Sequence, residues 1–586
     1  MLGVAIAISW HIFLQKGFME EAHYLRNREV ARRNYMRITN TMITGNTKAN
    51  INSNKLLVDK YNTQMTTQKK ISKASENPVI AIRSLRLSTT LSHINQYVEN
   101  NIPDASAWMD VTETALTNMK DLLTDIRTHC VNGSTDTLNN EDRQTILEAL
   151  KSLSSQIYSE GNADYAGKTV FTGYRTSSNL TFDEEELDTE YEINQSFTFA
   201  DMAEKRYYTG DVKVPETITT GNADPALNTA DCPTVIQENT YERIRLAYNG
   251  DTEVSNFSFS YVTDAGDTVK VEAVRAAAND GTYELKAYQA NAKGEYVLDA
   301  NGDRIETAMP AALDGTLSVT SYTSEQDWED ATGIKEVGDY DIVYIEETGE
   351  FVFGKEIAND ISDSRSSLDV TYTKKGFAKG EVRPEYYYDC MDKTDDDPSK
   401  WVTYTKEDQD IKYTIANNTS ITINTQADSV FDTSIARDVD ELINVVQKAI
   451  DADAKVAEIK AMMNEAQYQD EASQQVLKTY LAAAEKEADF AADNLQKTYE
   501  SYIGNFDKYL EKANIAITNV GSVKNSLYLT QTRVENQQMT LEELKSDNED
   551  RDISDIIIDY YASYNAYTAS LTAAGKLGET SLLQYI

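Results

Sequence analysis

Cysteine is rare in this chain, which has 586 residues and three cysteines. They are Cys130, Cys232 and Cys390. Because their number is odd and they lie far apart, they form neither a disulfide framework nor the CxxC pairs of a zinc site. We therefore expect three incidental free thiols.

Histidine is equally scarce, and the common catalytic motifs are missing. None of the four histidines, His11, His23, His93 and His129, lies in an HExxH motif. His129 and Cys130 are adjacent and could share a metal, but no further ligand is near in sequence. We favour a histidine at a helix end beside an apolar thiol. GxxxxGK[ST], GxSxG and dinucleotide-binding motifs do not occur, so we predict no enzyme, no cofactor and no metal.

Basic residues are too few for a nucleic-acid partner. The chain has 55 Lys and Arg against 96 Asp and Glu, a net charge of -41. Nucleic acid and anionic membranes both attract clustered basic residues, so we exclude both as partners. The acidic runs 183–186 and 395–397 could bind a hard cation. They lack the spaced acidic ligands of a calcium loop, however, and we interpret them as solvated turns.

Proline and glycine are also infrequent, at 8 and 25 residues, which favours long uninterrupted helices. The hydrophobic fraction of 40% and the 36 tyrosines exclude a disordered chain. The apolar run 2–14 is too short to span a bilayer, and it lacks the basic region and cleavage site of a signal peptide. We expect no membrane span. We favour a translation start at Met36, where the helical pattern begins, over a start at Met1.

The clearest pattern lies near the C-terminus, where apolar residues follow two interleaved seven-residue series. One series contains Ile553, Tyr560, Tyr567 and Ala574, and the other contains Ile557, Tyr564 and Leu571. Together they form one continuous stripe along a helix. Because no later segment follows to cover this stripe, we expect it to need a partner.

The N-terminal segment offers that partner, since Ile51, Val58 and Met65 are also seven residues apart. We hypothesise that the two terminal helices pair and that further copies of the chain cover what the pairing leaves exposed. The alternative is an ordinary terminal helix docked on its own domain. The predicted assembly interface comprises Ile51, Val58, Met65, Ile553, Ile557, Tyr560, Tyr564, Tyr567 and Leu571.

Between the ends, the pattern predicts helices on both sides of a β-rich insert. Heptad series run from Ile80 to Leu122 and from Phe506 to Leu541, with Pro103 expected to kink or restart the first helix. Period-two alternation with frequent turn residues dominates the middle of the chain. The predicted strands are 257–262, 269–274, 283–288, 340–345, 350–353, 368–372, 413–415 and 420–423.

The predicted fold class is therefore α plus inserted β. The N- and C-terminal helices pair into a long antiparallel coiled-coil rod, with an all-β variable insert between them. The predicted domains are an upstream extension (1–35), an N-terminal terminal helix (36–75), a helical rod with a hairpin (76–176), an acidic β insert of one or two domains (177–426), a C-terminal helical rod (427–545) and a C-terminal terminal helix (546–586).

Several short segments resemble the flagellin superfamily. They are Met36-Arg37-Ile38, the turn Ser75-Glu76-Asn77-Pro78, and the helix with Arg86, Leu87, Leu91 and Ile94. Val170-Phe171-Thr172-Gly173-Tyr174 and the ending 581–586 (SLLQYI) are more similar to the hook-filament junction members than to flagellin. The likeness covers about 36–176 and 431–586. In the turn, Glu76-Asn77 replaces two aspartates.

The resemblance implies a structural component of the bacterial flagellum that is exported without a cleaved signal and is therefore extracellular. Its implied partners are copies of itself, another hook-associated junction protein, flagellin and an export chaperone. Two other functions stay open at this point. The chain could be a flagellin of the filament itself, or a surface adhesin that uses the β insert.

Overall fold

The computed structural model describes residues 39–134, 139–209, 212–215, 217–218, 226–227, 237–263, 265–276, 281–333, 337–364 and 367–579. They form two compact units. One contains the described residues up to Gln96 and from Arg533, and the other contains Tyr97–Thr532. The expectations about residues 1–35, Cys232 and the ending 581–586 lie outside the described residues.

Long helices dominate the described residues on both sides of the β-rich middle, as the low proline and glycine content predicts. The α-helices are α1 (Asn40–Thr67), α2 (Pro78–Gln96), α3 (Ile102–Gly133), α4 (Asn140–Ile157), α5 (Glu325–Thr332), α6 (Lys355–Ser364), α7 (Ser434–Asn464), α8 (Glu471–Glu549) and α9 (Ile553–Glu579).

The first helix ends earlier than the sequence suggests. We expected it to stop at the proline-containing turn near residue 75, but α1 ends at Thr67. Gln68 adopts a left-handed conformation with φ 56°, and its backbone N–H caps the carbonyl of Gln64. The predicted turn exists but starts the next helix, because the Asn77 carboxamide accepts from the backbone N–H groups of Val79 and Ile80.

Pro103 lies where the helix restarts, as the sequence predicts, because α2 ends at Gln96 and α3 begins at Ile102. It lies in the first turn of α3, where a missing backbone N–H costs little. The five residues before α3, Tyr97–Asn101, form a π-helical turn. An inserted turn of this kind removes the conflict between the proline ring and the preceding carbonyl groups. The Asn101 side chain donates to the carbonyl of Thr414 at 2.7 Å.

The core of the larger unit contains the apolar faces of α3, α4, α7 and α8. In α3, Ala105, Trp108, Met119 and Ile126 are all at most 3% exposed, as the heptad pattern predicts. Helix α4 begins with a capping box, in which Asn139 and Asp142 each accept from the other's backbone N–H group.

The middle of the chain is rich in strands. The strands are β1 (Asp164–Tyr165), β2 (Lys168–Thr169), β3 (Glu186–Phe197), β4 (Ala203–Thr209), β5 (Thr217–Ile218), β6 (Ala226–Leu227), β7 (Gln237–Arg245), β8 (Thr252–Val262), β9 (Thr268–Arg275), β10 (Tyr283–Gln289), β11 (Glu306–Thr307), β12 (Ser318–Tyr322), β13 (Asp341–Ile345), β14 (Glu350–Phe353), β15 (Leu368–Phe377), β16 (Asp389–Asp392), β17 (Val402–Tyr404), β18 (Lys412–Ala416) and β19 (Thr419–Thr422).

Two sheets carry most of these strands. The eight-stranded sheet has the order β11-β10-β9-β8-β15-β3-β16-β17, and the five-stranded sheet has the order β12-β13-β14-β7-β4. All eight predicted strands are confirmed, with shifts at their ends. The prediction of an all-β insert is wrong, because α5 and α6 lie within it. Helix α6 packs its buried Ile357, Ala358 and Ile361 into the core.

A buried network of charges links the five-stranded sheet to α7. The Arg243 guanidinium contacts Glu350 at 2.5 Å and Glu441 at 3.2 Å, and Lys205 contacts Glu350 at 3.2 Å. Burial alone would raise the pKa of Glu441, but the charges of Lys205, Arg243 and Arg245 outweigh it and hold that pKa well below its usual range. Glu441 is therefore ionised and depends on its cationic partners.

Candidate assembly interface

The two terminal helices lie side by side in the smaller unit. Helices α1 and α9 contact each other along their length. The Asn54 side chain donates to the carbonyl of Ala566, and the Arg551 guanidinium donates to the side chain of Gln64 at 3.1 Å. The residue numbers rise in α1 as they fall in α9, so the two helices run antiparallel.

Polar groups fix the point where the two terminal helices begin to pair. The backbone N–H of Lys70 donates to the backbone carbonyl of Glu549 at 2.6 Å. The backbone N–H of Arg551 donates to the backbone carbonyl of Gln68 at 2.9 Å. The Lys69 ammonium lies 2.5 Å from Asp550. These bonds join the segments that follow α1 and precede α9, so they set the register from which the two helices extend.

The pairing covers the predicted interface residues only in part. Ile51, Val58, Met65, Tyr560 and Tyr567 are half-buried. The other four predicted residues remain exposed in the single chain, with Ile553 at 45%, Ile557 at 38%, Tyr564 at 48% and Leu571 at 44%. The structure thus brings both helices together but leaves much of the stripe on α9 in solvent.

Sequence reasoning missed several apolar residues of this region. Ile556 is fully buried, although it lies outside both heptad series. Leu56, Ile558 and Tyr561 are 60–69% exposed and extend the apolar surface. The run Ile556-Ile557-Ile558 is apolar around half of the helix, so periodicity alone does not decide which isoleucine faces α1. We use the name terminal apolar surface for Leu56, Ile553, Ile557, Ile558, Tyr561, Tyr564 and Leu571.

Burial raises the pKa of the Cys130 thiol to about 12, which keeps this cysteine protonated and unreactive. Within the described ranges, no group of three or more potential metal ligands comes together. In the same residues, no helix has both the length and the apolar character needed to cross a bilayer.

Part of the chain is similar in sequence to known flagellar proteins. Residues 38–176 match the bacterial flagellin N-terminal helical region. Over 120 residues the chain is 26% identical to flagellar hook-associated protein 3 of Escherichia coli (strain K12). That alignment covers 20% of this chain and spans 38% of the relative's length.

Two solved structures are similar at low scores. FlgL from Xanthomonas campestris is 10% identical to this chain, with a TM-score of 0.26. The alignment covers 78% of this chain and 99% of the FlgL chain. The flagellar junction protein FlgL from Legionella pneumophila has a TM-score of 0.25 and 10% identity, covering 76% and 99%. Residues 38–176 of this chain are thus similar to the N-terminal helical region of bacterial flagellin, and a stretch of 120 residues is similar to part of a flagellar hook-associated protein.

Proposed function

We propose that this chain is a structural component of the bacterial flagellum at the hook-filament junction, and that it assembles through its terminal helices. The observation that carries this proposal is the terminal apolar surface. It lies on helices that already contact each other, and it remains in solvent in the single chain. The similarity to hook-associated protein 3 supports the junction.

The assembly we propose is a long antiparallel coiled coil of the terminal helices, packed against the same helices of further copies. The proposed interface residues are the nine predicted from the sequence, together with Leu56, Ile558 and Tyr561. Several large apolar residues exposed on one helix typically mark a site of protein contact. The proposed partners outside the chain are another hook-associated protein, flagellin and an export chaperone, and the proposed location is extracellular.

Energetics favour a cooperative assembly. Full burial of one large apolar side chain contributes about 1.5–3 kcal/mol, whereas ordering a residue's backbone costs about 1–2 kcal/mol. A terminal helix therefore gains little from covering one or two residues of its stripe. It becomes stable when most of the stripe is covered at once, which several neighbouring copies can do together.

The position of the protein on the flagellum tests this proposal. A tagged chain should appear by immunogold microscopy as a single band at the base of the filament, with only few gold particles per flagellum. Labelling along the whole shaft would instead identify a flagellin, which shares the N-terminal helical region. Labelling of the cell surface away from flagella would contradict both and would favour an adhesin.

A further inference from the structure

A half-open cavity with both polar and apolar lining residues lies in the larger unit. It encloses about 820 Å³, which falls in the range of sites for small organic ligands. Its walls come from the end of α4, the strand β15, the loop that follows β15, and the start of α7. The rings of Tyr158, Phe182 and Tyr248 form an apolar part of the lining.

Two buried cations in this cavity have few partners. Lys374 is 6% exposed, and its ammonium group donates to the carbonyl of Asn249 at 2.7 Å. The Arg437 guanidinium donates to the carbonyl of Thr348 through Nη2, while its buried Nε has no partner. In the part of the chain that the structure describes, neither cation has a carboxylate within ion-pair distance.

Two carboxyl groups line the same cavity without contacting those cations. Glu381 accepts from the backbone N–H of Ala378 at 2.9 Å, and Asp440 lies one helical turn after Arg437 on α7. Burial raises the pKa of both carboxyl groups and lowers the pKa of Lys374 and Arg437. All four groups are thus desolvated and incompletely paired, which is a costly arrangement.

We propose that this cavity binds a neutral oligosaccharide. Each sugar hydroxyl can both donate and accept, so one ligand can accept from Lys374 and Arg437 while it donates to Glu381 and Asp440. The buried cations and carboxyl groups balance in number, which favours an uncharged ligand over an anion. The rings of Tyr158, Phe182 and Tyr248 are at most 6% exposed, so recognition of the ligand rests on its hydroxyl groups. The cavity volume suits a di- or trisaccharide better than an amino acid.

Calorimetric titration of the full chain tests this inference. The probes are neutral di- and trisaccharides of glucose, galactose, mannose and N-acetylglucosamine, with glycine and glucuronate as charged comparisons. We expect saturable binding of at least one neutral probe. Lys374→Met should weaken that binding about 10- to 100-fold, the effect of losing a hydrogen bond from a charged donor.

Lys375→Met is the matched control, because Lys375 is exposed on the opposite face of β15 and carries the same charge. It should bind as the unmodified chain does. Asp440→Asn provides a second, conservative variant if Lys374→Met does not fold, and it should also weaken binding. The inference would be overturned if no neutral probe bound, or if only the charged probes bound. It would also be overturned if the folded Lys374→Met and Asp440→Asn variants bound the neutral probe as tightly as the unmodified chain. None of these outcomes bears on assembly at the junction.

Discussion

Replacement of Ile557 by aspartate is expected to abolish assembly of the protein while leaving the larger unit folded. Ile557 lies on the exposed part of the α9 stripe. Its burial by a neighbouring copy contributes about 1.5–3 kcal/mol, and an unpaired carboxylate in that contact would cost several kcal/mol more. The association constant should fall more than about 100-fold. Cells with this variant should be non-motile, and electron microscopy should show hooks without filaments. Tyr564→Asp should have the same effect.

Ala562→Asp is the matched control for both variants. Ala562 lies on α9, is exposed, and occupies the helix face opposite the stripe. It introduces the same charge and loses more helix propensity than either variant, because alanine is the strongest helix former; it should nevertheless leave assembly and motility intact. Normal filaments in the Ile557→Asp strain would contradict an interface at this stripe. Loss of filaments in all three strains would show that α9 tolerates no added charge, and would remove the argument for a specific face.

Replacement of Arg243 by methionine should produce the largest loss of stability in the larger unit. The change removes the positive charge that contacts Glu350 and Glu441, and Glu350 is 2% exposed. Glu350 keeps its contact with Lys205, whereas Glu441 loses its ion pair with Arg243. Removal of one partner from a buried ion pair typically costs about 3–5 kcal/mol. Chemical denaturation monitored by the fluorescence of the buried Trp108 and Trp328 should report this loss as a lower transition midpoint.

Arg206→Met controls for the loss of a positive charge from the same sheet. Arg206 lies on β4, and its ion pairs with Glu204 and Glu238 are at the surface. Ion pairs of this kind contribute about 0–1 kcal/mol, so this variant should unfold close to the unmodified chain. Equal midpoints for the two variants would mean that the buried network does not hold the sheet on α7.

Much of the fold follows from local sequence patterns. The strands were predictable because alternating apolar residues and turn residues are both local, as at Thr348-Gly349, where Gly349 adopts a positive φ of 59° between β13 and β14. The apolar face of α3 was predictable because its heptads are regular. The short helix α5 was not predicted, although Ser324 caps it and Trp328 is its only buried residue.

The candidate sites depend on contacts between distant parts of the chain, which periodicity does not reveal. Gln64 and Arg551 meet across almost the whole sequence, and neither belongs to an apolar pattern. Lys374 and Arg437 line one cavity because β15 and α7 pack nearby. The sequence shows both as ordinary surface cations. The stripe on α9 was recognisable, but its division into a buried Ile556 and an exposed Ile557 requires the position of α1.

The central claim is that the terminal helices become fully stable only when neighbouring copies cover the terminal apolar surface. Hydrogen exchange of the backbone amides in α1 and α9 tests it directly, with the purified single chain compared to the assembled protein. We predict fast exchange in both helices of the single chain, slow exchange in α3 and α7, and strong protection of α1 and α9 after assembly. Equally slow exchange in all four helices of the single chain would contradict the claim.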